Sequence, residues 1–386
     1  MSNQISKRPI QRDSNLELFR CVTMLLIVAH HYVMNSGLLA SDGPVWGDPW
    51  SLRSLFLLLF GAWGKTGINC FVLITGYYMC QSAITGRKYF RLLAEIYVYR
   101  MVIVAIFALT GYNPLTMKRL LLLLLPFTEL DRNFTGCFIM FYLFIPFLTI
   151  FVKNMTARQH VWLMALSLFI YTILEPLPLI NVPMHYVSWF MVLFLVSSFL
   201  RLHADEYMER KNNMRNIGGL LLLLIIDIAS IIAISWLSQR MPRLNRLSYF
   251  FMGESNRPLP FLTSVMAFVF FKRLRLSYIP IINIMGSSTF GVFLIHTRGA
   301  AMRRWLWGDL LHNVEMYSSP WLPIHAIGSV LAIFVICVVI DQLRIRFIEP
   351  PLMMLFDRLS PFVTRHFNSL EDRCWRMVGT ASKKTD

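Results

Sequence analysis

Arg20 and His31 lie in one apolar run, Leu16 to Tyr32. An ionisable side chain inside a membrane-crossing segment costs free energy and marks a candidate functional site. Eleven positions separate the two residues. That is close to three helical turns, so both side chains fall on one face, about 16 Å apart along the axis. Such a face offers a fixed cation near its entrance and a neutral-pH proton acceptor deeper in. It suits binding an anionic group at one end and acid–base chemistry at the other. A neutral imidazole can take a proton from a hydroxyl as general base or accept an acyl group as nucleophile. Its unperturbed pKa suits either role. Glu17 precedes Arg20 by one turn and can pair with it, which softens the cost of a guanidinium at the membrane edge. His30 points roughly a quarter-turn away and reads as the structural member of the pair, though spacing leaves the reverse assignment open. The ordinary alternative for either ring is a hydrogen bond to a neighbouring helix carbonyl.

Three other groups of residues carry polar chemistry. In the run Gly64 to Tyr78, Lys65, Thr66 and Asn69 place polar groups at the start of a span. Gly64, Gly67 and Gly76 allow close helix contact there, and helix packing is the favoured reading of that run alone. Arg87, Lys88 and Arg91 stand at the cytoplasmic mouth of the next span, as the positive-inside rule expects. Together with Arg20 they can hold the phosphates of a nucleotide-like cofactor, because guanidinium groups bind phosphate bidentately. His296 closes the run Gly286 to His296 as a second histidine within an apolar span. Asp227 and Asp341 also fall in apolar runs. Asp341 has Arg344 and Arg346 nearby, Asp227 has no local partner, and Trp189 reads as an interfacial anchor.

The elements that must position these residues follow from composition. The chain has 386 residues, of which 56% are hydrophobic and 15% charged, and its mean hydropathy is +0.54. A soluble domain is nearer 25% charged. The reading is an all-α, polytopic transmembrane bundle forming one membrane domain. With roughly 20 apolar residues per span, about ten spans fit. They are 15–36, 66–82, 88–110, 134–152, 160–179, 185–202, 217–238, 259–274, 284–306 and 321–347. The short apolar stretches 51–63 and Leu120 to Pro126 read as interfacial or re-entrant.

Lys7, Arg8 and Arg12 before the first span place the N-terminus in the cytoplasm, and the first span reads as a retained signal anchor. Segment 1–14 is then cytoplasmic, 15–352 is the membrane domain and 353–386 is a basic cytoplasmic tail. The acidic residues Asp42, Asp48, Glu129, Asp131 and Glu175 fall on the opposite side. Arg240, Arg243, Arg246, Arg257, Arg298, Arg303 and Arg304 fall there too. Either a span is miscounted or these form an outward cationic surface for an anionic substrate. The net charge of +16 sits in short loops and does not argue for nucleic acid. The six cysteines form no Cys-x-x-Cys pair and indicate neither a disulfide framework nor a metal site.

These motifs, in order, resemble the acyltransferase-3 family of integral membrane acyltransferases. Arg20 to His31 is similar to the family's Arg, ten residues, His signature, which singles out His31 over His30. Gly64 to Tyr77 resembles its Gly-rich second-span motif, with Asn69 where Asp or Glu is usual. Arg87 to Arg91 resembles the basic motif that follows. Phe134 through Pro146 resembles a W-F-x-x-x-Y…P segment, with Asn133 and Phe138 in place of its Trp and Tyr. Ser288 to His296 resembles a late S-T-Y-G-x-Y-L-I-H element, and Glu349-Pro350-Pro351 an E-x-P.

The resemblance implies acyl-CoA as co-substrate, acetyl-CoA by default, and no metal. It implies a glycan or lipid-linked sugar as acceptor, a multi-pass place in the plasma or inner membrane, and neighbouring glycan synthesis or export proteins as partners. It casts His31 as base or transient acyl carrier. Arg20 orients the co-substrate, Glu17 supports Arg20, and Lys65, Arg87, Lys88 and Arg91 assist in binding it. Asn69 and His296 lie toward the acceptor. The competing readings are a glycan or solute transporter, for which an inverted repeat is expected and none is visible, and a non-catalytic partner of a glycan synthesis complex.

Overall fold

A computed structural model describes residues 13–125, 134–177, 182–208 and 213–362. Lys7, Arg8, Arg12, Glu129, Asp131, Asn133, Cys374 and most of the expected tail lie outside them. Among the described residues the regular structure is helical, with no strand.

The first helix, α1 (Ser14–Met34), is the core of the bundle. Its apolar residues leave few polar positions, and 61% of its most apolar stretch is buried against protein. A short helix, α2 (Leu52–Gly61), starts at Ser51, whose hydroxyl accepts the Ser54 N–H. After a break at 62–63 it leads into α3 (Gly64–Met79). The short apolar stretch 51–63 is thus a separate helix set end-on to a longer one. Thr85 caps α4 (Gly86–Leu109) by accepting the Lys88 N–H, a bond that satisfies one of the free donors of a first turn. Then follow α5 (Phe134–Lys153), α6 (Ala157–Leu168) with a Thr156/Gln159 capping box, and α7 (Tyr186–Leu202). The remaining long helices are α8 (Met214–Ser238), α9 (Pro258–Arg273) and α12 (Leu322–Leu343), with the half-length pair α10 (Pro280–Ser287) and α11 (Thr289–His296) between α9 and α12.

Among the described residues, seven helical stretches are long and apolar enough to cross a membrane, and α7 is a shorter apolar helix. α8 and the α6 stretch bury only 11% of their apolar windows, so they form the outer layer, while α1 and α3 form the inner one. The two ends of the bundle are defined by polar contacts. At one, Tyr78 donates to Asp13 (3.2 Å), Lys272 pairs with Asp13 (3.6 Å) and the Ile279 N–H donates to Ser14 Oγ (2.9 Å). At the other, Gly64 meets His30, Tyr32 is joined to His325 (2.9 Å) and Arg246 donates to the Ser41 carbonyl (2.8 Å). The short helices α7, α9 and the α10–α11 pair also have one terminus at each end.

Several expectations are corrected. Residues 284–306 are not one span. The chain pauses at Ser288 and breaks after His296, where the Thr297 hydroxyl bonds the Phe293 carbonyl (2.6 Å) and Gly299 adopts φ +67°, a conformation that favours glycine. The last span does not stop near 347. It passes through a π-helical turn, Arg344–Ile348, and continues as helix to Phe362. The wider turn offsets the hydrogen-bond ladder just where Pro350 and Pro351 would otherwise break it. Trp189 is not an interfacial anchor. It is fully buried, and its indole N–H donates to Asn69 Oδ1 (2.9 Å). Asp227, also fully buried, accepts from Thr263 Oγ1 (2.8 Å). Arg243, Arg246 and Arg303 share the His31 end of the bundle with the loop 35–51.

Candidate active site

α1 and α11 lie side by side with His31 and His296 at matching depth, and their rings meet. His31 Nδ1 is 2.9 Å from His296 Nε2, and His296 Nδ1 is 2.6 Å from the Val292 carbonyl one turn back on α11. The carbonyl can only accept, so His296 Nδ1 carries a proton. A neutral His296 then presents Nε2 as an acceptor, and His31 must donate its own Nδ1–H to it. The proton assignment follows from the bonding network. It leaves the lone pair of His31 on Nε2. His296 is fully buried, whereas His31 is half-buried and lines a cavity of ≈ 370 Å³.

Lys65, Tyr186, Asn35 and Arg303 line the same cavity, with Phe134 and Phe293 as apolar wall. Lys65 Nζ donates to Tyr186 Oη (2.7 Å) and pairs with Glu254 (3.1 Å). An ammonium only donates, so the Tyr186 hydroxyl proton is left for another acceptor. The cavity thus holds a neutral imidazole base, a polarised phenol, a lysine held by a carboxylate and an exposed guanidinium on Arg303. His30 also lines this cavity, with its Nδ1 2.6 Å from the Gly61 carbonyl. Gly64 is required beside it, since a Cβ there would lie 2.2 Å from the imidazole. Among the described residues no group of three His, Cys, Asp or Glu side chains is placed to hold a metal ion.

The expected co-substrate cations are divided between the two ends. Lys65 is with His31. Arg20 lies toward the Asp13 end, in an i, i+3 pair with Glu17 (3.2 Å) whose carboxylate is buried, and it does not line the His31 cavity. Arg87, Lys88 and Arg91 are at that end too, and each has a partner. Arg87 is bidentate with Asp357 (3.0 and 3.2 Å), Lys88 holds Ser82 Oγ and the Ala83 carbonyl (both 2.7 Å), and Arg91 pairs with Glu349. The two arginine pairs fasten the last helix to α4, and the Lys88 bonds hold the loop before α4. Asn69 lies outside the cavity, fully buried. Its amide donates to the Ser255 carbonyl (2.7 Å) and accepts from Trp189 (2.9 Å), which joins three parts of the fold. Sequence reasoning missed Tyr186 and Asn35, which carry no motif, and grouped Arg303 only with the outward cations.

A profile of the acyltransferase-3 family, described as an acyltransferase domain, matches residues 13–341. The match takes in α1 through most of α12, with every residue of the histidine pair and its cavity. No curated protein and no solved structure matches the chain. With its profile spanning most of the sequence and its apolar helices, the chain belongs to the acyltransferase-3 family of membrane acyltransferases.

Proposed function

We propose that the protein moves an acyl group, acetyl by default, from acyl-CoA to a hydroxyl of a cell-surface glycan or its lipid-linked precursor, with His31 as the base. The observation that carries this reading is the chain from the Val292 carbonyl through His296 to His31, which leaves a basic Nε2 facing a polar cavity. His31 Nε2 takes the proton of the acceptor hydroxyl, and the hydroxyl oxygen attacks the thioester carbonyl. The new C–O bond forms, the C–S bond breaks, and the departing thiolate takes the proton back from His31. While His31 is protonated, its Nδ1–H remains bonded to His296, which holds the ring in place and shares the charge, much as a carboxylate does in a hydrolase triad. The free Tyr186 O–H and the Lys65 ammonium can stabilise the oxyanion that develops on the thioester carbonyl.

In this account the N-terminus is cytoplasmic, about ten segments cross the plasma or inner membrane, and acyl-CoA enters from the Asp13 end. Arg20, with Arg87, Lys88 and Arg91, meets the CoA phosphates by exchanging carboxylate or backbone partners for phosphate. The distance along α1 from Arg20 to His31, about 16 Å, is to be covered by the extended pantetheine arm. Incubating the purified protein with radiolabelled acetyl-CoA and a crude glycan or lipid-linked acceptor tests the reading. Label in the acceptor supports it, and acetyl-CoA that neither binds nor turns over contradicts it.

A further inference from the structure

Two imidazoles, not one, open onto the polar cavity. His30 and His31 both line it and both are half-buried, with ring centroids 5.6 Å apart and ring planes inclined at 57°. His30 is held from two sides. Its Nδ1 is 2.6 Å from the Gly61 carbonyl, and Gly64 packs so closely on the ring that a Cβ there would lie 2.2 Å away. Gly61 is the last residue of α2, where a helix leaves its carbonyls without intrahelical partners. That carbonyl can only accept, so His30 Nδ1 carries a proton. In the neutral ring the lone pair is then on Nε2.

His30 Nε2 has no hydrogen-bond partner among the described residues, and it is not sealed from solvent. The same is true of His31 Nε2. One wall of the cavity therefore carries two acceptor nitrogens on neighbouring residues of α1. The tether to Gly61 uses only the Nδ1 edge of His30 and leaves the other edge free beside the base. The relay through His296 reaches His31 alone, so the base is His31, and His30 offers the same lone pair without that support.

We infer that His30 is a specificity-determining residue that reads a second hydroxyl of the acceptor. One hydroxyl gives its proton to His31 Nε2, while the hydroxyl on the adjacent carbon donates a hydrogen bond to His30 Nε2. This rests on the acyltransfer reading above and narrows its acceptor to a vicinal diol. The spacing of the two rings suits two hydroxyls of one sugar, each within ordinary hydrogen-bond distance of its own imidazole. The second bond fixes the rotation of the sugar, so it decides which hydroxyl reaches the base. An acceptor without the adjacent hydroxyl leaves His30 Nε2 unpaired, the kind of mismatch by which hydroxyl-binding sites discriminate.

The test uses the full chain in phosphatidylcholine nanodiscs. Diethyl pyrocarbonate modifies imidazoles at a free lone pair, and fragment mass spectrometry assigns the modified ring. Modification is expected at both His30 and His31 and not at His296, whose two nitrogens are both engaged. Vicinal trans-cyclohexanediol should protect His31 at about tenfold lower concentration than cyclohexanol, which has one hydroxyl. His30→Phe should abolish that preference, and His30→Leu repeats the loss if His30→Phe does not fold. His30→Gln should retain it, because its amide N–H can meet the Gly61 carbonyl while its amide oxygen accepts from the diol. An unmodified His30 overturns the inference. So does equal protection by the diol and cyclohexanol, or a preference for the diol that survives His30→Phe. Acetyl transfer is read separately on the same discs. Its absence with the diol preference intact counts against acyl transfer while upholding the two-imidazole site.

Discussion

His31 and His296 are 265 residues apart in sequence, yet their ring nitrogens lie 2.9 Å apart, and the Val292 carbonyl decides which ring carries which proton. His296 touches the base without lining its cavity, so it is a positioning residue. His296→Ala should lower kcat by about 10²-fold with little change in KM for acyl-CoA. His296→Gln should recover part of the loss, because its amide oxygen can accept the His31 Nδ1–H. Steady-state kinetics on both variants check this. An unchanged kcat in His296→Ala removes the relay.

Arg20 is held by Glu17 but remains partly exposed at the Asp13 end of α1. Arg20→Ala should weaken acyl-CoA binding about tenfold or more, and Arg20→Lys should recover only part, since an ammonium lacks the bidentate fork. Equilibrium binding at low and high salt is the measurement. Equal affinity in wild type and Arg20→Ala takes the residue out of co-substrate binding.

Asn69 separates architecture from chemistry. Asn69→Ala leaves the Ser255 carbonyl and the Trp189 N–H without their partners. Two such losses should cost about 2–4 kcal/mol in stability, while kcat per folded molecule stays as in wild type. Thermal unfolding in detergent, read beside activity, distinguishes the two. A fall in kcat with no loss of stability would restore Asn69 to the acceptor site.

Arg344 holds a buried charge cluster at the far end of α12. It bonds Asp341 (2.8 Å), Glu349 (2.9 Å) and Glu95 (3.3 Å), and Tyr99 donates to Asp341 as well (2.7 Å). Removing the cation leaves the buried Asp341 and the half-buried Glu95 without their ion-pair partner, while Glu349 keeps Arg91. Arg344→Ala should therefore destabilise the protein by about 3–5 kcal/mol, although Arg87–Asp357 and Arg91–Glu349 still tie the last helix to α4. A midpoint of unfolding equal to wild type would show that the cluster is solvated.

The long helices were legible because each is an uninterrupted apolar run near membrane thickness, and α1, α3, α4, α5 and α8 begin and end within a few residues of the expected places. The Glu17–Arg20 pair was legible because it is local to one helix. What spacing could not give are contacts that only packing creates. Residues 284–306 read as one run because hydropathy is blind to the bend at Ser288 and the turn at Gly299. The resemblance groups Lys65 with Arg20 at the co-substrate, but the antiparallel course of α3 carries Lys65 to the other end. The role of Tyr186 depends on Lys65 of α3, and that of Asn69 on Trp189 of α7 and the Ser255 carbonyl in the loop before α9, all far away in sequence.

The most direct test of the central claim compares wild type with His31→Ala for acetyl transfer from radiolabelled acetyl-CoA, with acetyl-CoA binding measured on both. The account predicts that His31→Ala binds acetyl-CoA as wild type does and transfers label about 10²- to 10⁴-fold more slowly. Transfer at the wild-type rate by a folded His31→Ala protein would contradict it and make the histidine pair a structural bond between α1 and α11.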